Sequence, residues 1–453
     1  MTQTGRRAAN ARSAVAPNIV FILADDLGYA DLGCYGGRNA EFGAVSPHLD
    51  RMARDGLQFM NAYANSPVCS PTRFALITGR YQYRLRAAAE EPLTRRSGSN
   101  PELMGLPPEH PTLPSLLREG GYRTGLTGKW HLGYPPLFGP LRSGYDEFFG
   151  PISGAVDYFS YLSFEGQRDL FDGQEPAIAQ GYLTDLITDR ACGFITRHAG
   201  RQPFMLSVHY TAPHWPWETR DDEAESQRIG SMIHHVDGGS LPVYQRMIHH
   251  MDEGVGRILQ TLKDLGVDRD TLVVFTSDNG GERYADNWPF VGKKMDLLEG
   301  GLRVPLIARW PALIRHRGKT RQPMMTMDWM PTLLDAARLA PHPDYPLDGI
   351  SMLGVLRDPA AVQDRPMFWR MKYRSQWAAI DGAWKYLRLD GHEFLFNIAV
   401  DARERANLAA REPERLAALR RLYADWATTM PGIPADANYT LVYGPATMAG
   451  ASG

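Results

Sequence analysis

The stretch NIVFILADD, residues 18–26, sets the frame for the whole chain. Six successive apolar residues end abruptly in two aspartates. An apolar run without polar alternation reads as a strand buried on both faces, as in a parallel sheet. Three other stretches end in the same way. YRTGLTGKWH (122–131) runs into Lys129 and His131, PFMLSVHYTAPH (203–214) into His214, and TLVVFTSDN (271–279) into Asp278 and Asn279. Ligands of open α/β sheets gather beyond the carboxyl ends of the strands. Four strands delivering these side chains to one rim would make one site.

Segments with helical spacing lie between the strands. SPHLDRMARDGLQF (46–59) sets Leu49, Met52, Ala53 and Leu57 on one side, and HPTLPSLLREGGY (110–122) ends in the glycine pair expected after a helix C-terminus. In VYQRMIHHMDEGVGRILQTLKDLG (243–266) the apolar stripe is Met247, Met251, Val255, Ile258 and Leu262. The alternation predicts an α/β class, a mostly parallel central sheet sandwiched by helices. After MDWMPTLLDAARLAP (327–341) the texture changes. PHPDYPLDG (341–349) reads as a proline-rich linker, and SQWAAIDGAWKYLRLDGHEFLFNI (375–398) as antiparallel strands with turns at Asp381-Gly382 and Asp390-Gly391. A helix in EPERLAALRRLYADWATTM (412–430) follows. At 453 residues the chain exceeds what one core normally holds. The expected organisation is a catalytic α/β domain over 17–340, a smaller C-terminal α+β domain with an antiparallel sheet over 341–440, and flexible tails at 1–16 and 441–453.

The balance of 49 basic against 51 acidic residues argues against nucleic acid or an anionic membrane surface as a partner. No stretch approaches the ~18 apolar residues of a membrane span. Cys34, Cys69 and Cys192 are an odd, widely spaced set, which argues against a disulfide framework or a thiolate zinc site. TGRRAANARSAVAPN (4–18) offers an arginine pair and AVA, yet no apolar run of signal length lies between Arg7 and Pro17. The expected compartment is the reducing cytoplasm.

Asp25, Asp26, Asp278 and Asn279 are hard oxygen donors without a soft partner, and a divalent cation is the usual reason to crowd three carboxylates. Either pair alone reads as well as a cap or turn; two pairs, each following an apolar strand, point to a metal. Oxygen donors favour calcium or magnesium over zinc. Cys69 precedes PTRFALITGRY (71–81), which has proline near its first turn and then a helix pattern. It therefore stands at a helix N-terminus, which favours an anion, with Arg73 about one turn along. A lone cysteine is more often inert packing, and as a nucleophile it would need a thiolate that three nearby carboxylates oppose.

CSPTR, residues 69–73, resembles the C-x-P-x-R signature of the type I, formylglycine-dependent sulfatases of the alkaline-phosphatase-like superfamily. The resemblance extends in family order through PNIVFILADDLGYADLGCYGG (17–37), TGKWHLG (127–133), APHWPW (212–217), FTSDNGG (275–281), GKKMDLLEGGLRVPLIARWP (292–311) and FLFNIAVDARERANLA (394–409). It implies a sulfuric ester hydrolase, similar to arylsulfatases, acting on a small-molecule or carbohydrate sulfate ester. In that family a maturation enzyme oxidises the cysteine to formylglycine, whose hydrate is a gem-diol. Carried over, the resemblance makes residue 69 the nucleophile. Asp25, Asp26, Asp278 and Asn279 become ligands of calcium (or magnesium), beside residue 69 itself. Arg73 and Lys129 fix the gem-diol, His131 takes the proton of its second hydroxyl, and His214 and Lys294 hold the sulfate and help protonate the leaving oxygen. Lys294 is chosen because it lies five residues before Glu299, with Lys293 as its alternative. Serine would end as a stable ester; a gem-diol collapses and expels sulfate. Two other functions compete: a formylglycine-dependent phosphonate monoester or phosphodiester hydrolase, and an inactive binding homologue that keeps Cys69 unmodified.

Ser153 and Asp157, in GPISGAVDYF (150–159), are further substrate-contact candidates. Tyr158, Trp215, Trp217, Trp288 and Phe290 could wall the pocket. His234, His235, His249 and His250 read as surface or loop residues rather than metal ligands; neighbours on a helix point to different faces, so His249 and His250 do not readily share one ion. RDDEAESQRIGSMIHHVDGGS (220–240) reads as a mobile loop beside the pocket.

Overall fold

The computed structural model describes residues 16–37, 39–85, 93 and 104–435, so the expected tails lie outside it except for Ala16. Ten strands form the main sheet: β1 (Asn18–Ala24), β2 (Leu57–Tyr63), β3 (Arg123–Gly128), β4 (Glu147–Gly150), β5 (Phe171–Asp172), β6 (Glu175–Pro176), β7 (Phe204–His209), β8 (Thr271–Ser277), β9 (Leu306–Arg309) and β10 (Gly318–Met325). Their order is β10-β2-β9-β8-β1-β7-β3-β4-β5-β6. The four strands singled out in the sequence are neighbours, β8-β1-β7-β3, and run parallel. Strand β1 lies between two partners that come much later in the chain, and its carboxyl end is a switch point of the kind that binds ligands.

Strand β1 is apolar from Ile19 to Ala24 because both its faces are covered. Ile19, Phe21 and Leu23 join a cluster with Trp329 and Leu333 of the helix Trp329–Ala337. Val20, Ile22 and Ala24 join another with Met247, Met251 and Val255 of the helix Leu241–Asp264. The whole stripe read from that helix, including Ile258 and Leu262, is fully buried.

A second, antiparallel sheet follows, with β11 (Met367–Met371), β12 (Gln376–Asp381), β13 (Trp384–Leu389) and β14 (His392–Asn397) in that order, covered by the helix Pro413–Thr428. Its apolar cluster includes Tyr63, Tyr81, Met295 and Leu297 of the first region. Two expectations need correction. Leu57 is not on the helix of residues 46–59: that helix is Pro47–Asp55, and Leu57 opens β2 after Gly56. Residues 220–240 are not loop throughout: Glu223–Ile229 is helical, and Arg228 ties its Glu225 to Asp237.

Candidate active site

Two of the four strand ends present their side chains through a left-handed turn. Beyond β1, Asp26 adopts φ +62°; beyond β3, His131 adopts φ +58°. Such backbone is costly for non-glycine residues and clusters at functional sites. Between them Gly128 has φ +104°, and a Cβ there would lie 1.8 Å from the His209 carbonyl oxygen. The close approach lets the Lys129 N–H donate to that same oxygen at 2.8 Å, which joins the ends of β3 and β7.

Each of the three carboxylates of the set has a close cation, and Arg73 Nη2 also lies 3.7 Å from Asp25 Oδ1. Lys129 Nζ lies 2.6 Å from Asp25 Oδ2, Lys294 Nζ 2.6 Å from Asp26 Oδ2, and Arg73 donates to Asp278 Oδ2 through Nε (3.1 Å) and Nη2 (2.9 Å). All six are buried. Asn279 Nδ2 donates to Asp26 Oδ1 at 2.7 Å, and the Asp26 N–H donates to Asp278 Oδ1 at 3.2 Å. Burial and the Asp25 charge push the Asp278 carboxyl up to about 7. For Asp26 burial acts upward too, but the Lys294 ammonium and the hydrogen bonds from Lys294 and Asn279 outweigh it and hold the carboxyl at about 2.

Cys69 is the first residue of the buried helix Cys69–Thr78. Its sulfur belongs to a group with ligand atoms of Asp25, Asp26 and His214, all within 4.8 Å of one another. Burial pushes its thiol well up, and Asp25 and Asp278 add to this against Lys129 and Lys294. A protonated thiol is a poor nucleophile.

His131 Nε2 contacts the Leu93 carbonyl at 2.7 Å, which leaves Nδ1 buried without a hydrogen-bond partner. His214 Nδ1 contacts the Trp215 carbonyl at 2.7 Å, so its Nε2 faces the cluster, 3.5 Å from Asp26 Oδ2. Burial and the nearby lysines hold both imidazoles well below the usual range, hence neutral.

The donor set fits a hard divalent cation. Asp25 Oδ1 and Asn279 Oδ1 are buried acceptors without a hydrogen-bond donor, a costly state that an ion relieves. Carboxylate and amide oxygens suit calcium or magnesium.

Other candidates divide. Lys294 is buried whereas Lys293 is exposed. Ser153 lies in a turn held by Asp169, next to Gly154, where a Cβ would lie 2.5 Å from the His131 ring. Asp157 is buried, and its Oδ1 accepts from the Phe159 and Ser160 N–H groups and the Ser226 hydroxyl, while its Oδ2 has no hydrogen-bond partner. Burial and the Asp157 carboxylate push Glu218 up to about 10. A folded value above the unfolded one means stability that is full below the unfolded pKa and is lost as pH rises toward the folded one. Glu218→Gln is therefore expected to flatten the fall in stability between about pH 5 and 9, with a gain of roughly 1–3 kcal/mol at the alkaline end. Urea unfolding across that range checks it; an unchanged slope contradicts it.

Among the aromatic residues, Trp215 packs on His214 with ring centroids 4.0 Å apart. Tyr158 donates to the His214 carbonyl from a fully buried position. Trp217 is buried against Tyr284, Phe290 packs on Tyr29, and Trp288 is exposed beneath Arg403. The reading of the four histidines as surface or loop residues fails for His250, which is buried on the helix Leu241–Asp264; His234 and His235 lie in the loop before that helix and His249 is half-buried on it. His235 is buried, accepting from the Trp217 N–H and contacting Glu225, and His250 is buried beside Tyr182. His234 is exposed but stacks on Trp215 (4.9 Å) and Phe164 (4.5 Å), which continues an aromatic row from His214 to the surface. Sequence reasoning missed Phe164 and dismissed His234; neither carries a local signal.

Known proteins resemble this chain in sequence and in fold. Residues 17–339 match the family model described as Sulfatase. The chain is 35% identical over 372 residues to the N-acetylgalactosamine-6-sulfatase of Mus musculus, covering 78% of this chain and 68% of that protein. It is 32% identical to the steryl-sulfatase of Mus musculus, over 76% of this chain and 65% of that protein. The structure of Ps i-CgsB in complex with k-i-k-neocarrahexaose superposes with a TM-score of 0.81 at 29% identity, covering 92% of this chain and 94% of that one. By the extent of that family match and the relatives that accompany it, the chain belongs to the sulfatase family.

Proposed function

We propose that the protein hydrolyses a sulfate monoester of a carbohydrate, with residue 69 converted to formylglycine and a divalent cation, calcium by its donor set, held by Asp25, Asp26, Asp278 and Asn279. The observation that carries this reading is the place of Cys69. It is a buried, protonated thiol on a helix N-terminus, grouped with two carboxylates and a histidine. Its position suits a nucleophile and its own chemistry does not. As the hydrated aldehyde, residue 69 would supply one hydroxyl to attack sulfur and a second whose deprotonation releases sulfate. The cation would polarise a sulfate oxygen.

The other roles fall to the chain's own groups. Lys129, Lys294 and Arg73 offset charge that grows on the sulfuryl oxygens. His131, neutral with an unpaired Nδ1, can accept the proton of the second hydroxyl. His214 Nε2 faces the cluster, and an anionic ester beside it favours the imidazolium that protonates the leaving oxygen. A carbohydrate is favoured because one relative is named for N-acetylgalactosamine 6-sulfate chemistry and the Ps i-CgsB structure holds a neocarrahexaose. The cytoplasm remains the proposed compartment, supported by three unpaired cysteines.

The test is turnover of nitrophenyl sulfate, sulfated sugars and a phenyl phosphonate ester by protein co-expressed with a maturation enzyme. Sulfate esters are expected to be preferred, and a large preference for phosphonate overturns the reading. Stripping the metal with a calcium chelator is expected to lower kcat by at least about 100-fold, restored by added calcium.

A further inference from the structure

Lys294 is followed by Met295, a buried non-glycine residue at φ +77°. Backbone of this kind costs about 1 kcal/mol or more and persists only where its surroundings fix it. Two contacts fix it here. The Met295 N–H donates to the carbonyl of Pro67, two residues before Cys69, at 3.0 Å. The Met295 carbonyl accepts from Gln376 Nε2 at 2.8 Å, and Gln376 Oε1 accepts the Leu297 N–H at 2.8 Å. The second hydrogen of Nε2 goes to the Tyr373 carbonyl at 3.0 Å.

Gln376 is 1% exposed and opens β12 of the second sheet. Its amide has two donors and a carbonyl, and all are used. Toward residues 295 and 297 it behaves as a neighbouring strand's peptide group would, with one donor and one acceptor spaced for alternate residues. The turn that presents it is itself strained: Arg374 and Ser375 have φ +58° and +46°. A methionine there would fill the space but leave the Leu297 N–H and the Met295 and Tyr373 carbonyls without these partners. The arrangement makes sense if the position of the Lys294 segment matters more than packing.

We propose that Gln376 is a positioning residue for sulfate-ester cleavage: from the second sheet it holds the left-handed turn at Met295 that aims Lys294 at Asp26 and residue 69. This rests on the proposed role of Lys294 in holding the sulfate.

The test is a four-protein cycle on the full, matured chain: wild type, Gln376→Met, Lys294→Ala and the double variant, assayed with nitrophenyl sulfate alongside thermal melting. Gln376→Met is expected to lower kcat/KM by about 10- to 100-fold in the wild-type background. In the Lys294→Ala background it is expected to lower it by less than about 2-fold, because the group it acts through is gone. Its effect on melting temperature is expected to be equal in both backgrounds. Equal kinetic losses in both backgrounds, or no loss in the first, overturn the proposal. If Lys294→Ala itself leaves kcat/KM unchanged, it is the role of Lys294 that fails. Gln376→Glu has the same shape and retains the acceptor for Leu297 but loses both donors; it replaces Gln376→Met in the cycle should the latter not fold. If neither variant folds, the role of Gln376 is in folding, and the proposal is overturned.

Discussion

Cys69→Ala is expected to lower kcat by at least about 10³-fold while the chain stays folded. The side chain is 2% exposed and small, so the lost sulfur leaves a void worth about 1 kcal/mol at most, and far-UV circular dichroism and the melting curve should change little. Cys69→Ser separates the reading from a plain hydroxyl nucleophile. A serine there can attack sulfur, but it has no second hydroxyl through which to eject sulfate. The expected result is one equivalent of alcohol released per chain, then a stop, with the peptide containing residue 69 heavier by one SO₃ unit. Rapid mixing reads the burst, and mass spectrometry of the digest reads the adduct. Multiple turnover at the wild-type rate by either variant removes residue 69 from the chemistry. An unmodified Cys69 in active wild-type protein does the same to formylglycine.

The site was legible because its chemistry is written at the ends of apolar runs. A strand covered on both faces has no polar alternation, so the first polar residues after it mark where the chain leaves the core. Beyond β1, β3 and β8 those residues, Asp25, Asp26, Lys129 and Asp278, are the ones that meet, and His214 joins them from the loop that follows β7. What escaped depends on partners remote in sequence. Leu57 fits a helical stripe as well as a strand, and only Gly56, whose Cβ would meet the Ala308 carbonyl at 2.3 Å, shows that the chain must turn there. The fully buried run Met367–Met371 gives no period to distinguish helix from strand; its pairing with β12 decides. His235 reads as a surface or loop residue, and that it is a buried one shows only once the Trp217 N–H and Glu225 close around it. No single-sequence pattern anticipates Gln376 against Met295, 81 positions apart.

Glu299 illustrates the same limit and carries the second large effect. Its Oε2 accepts from Arg303 (2.6 Å) and the Tyr63 hydroxyl (3.0 Å), its Oε1 from Lys385 (3.0 Å), and its N–H donates to Glu404 Oε2 at 2.7 Å. Lys385 also lies 2.9 Å from Glu404 Oε1. Two cations thus balance two carboxylates across the contact between the sheets, and Lys385 and Glu299 are fully buried. Lys385→Met retains most of the volume but strands one negative charge, and loss of a buried partner costs about 3–5 kcal/mol. Burial acts to raise the Glu299 carboxyl, but Lys385 and Arg303 outweigh it and hold it at about 2. Its contribution to stability is therefore present above the unfolded carboxylate pKa and lost as pH falls through the folded one. Burial already holds the Glu404 carboxyl above its ordinary value despite Lys385, and without Lys385 both folded carboxyls titrate higher still. The deficit of the variant should accordingly be largest near about pH 8 and shrink toward about pH 5, where protonated carboxyls need no cation. Adding Glu404→Gln to Lys385→Met removes the stranded charge and should recover much of the loss. Urea unfolding of the three proteins at both pH values measures this, and a Lys385→Met deficit below about 1 kcal/mol at the higher pH shows that the network does not hold the sheets together.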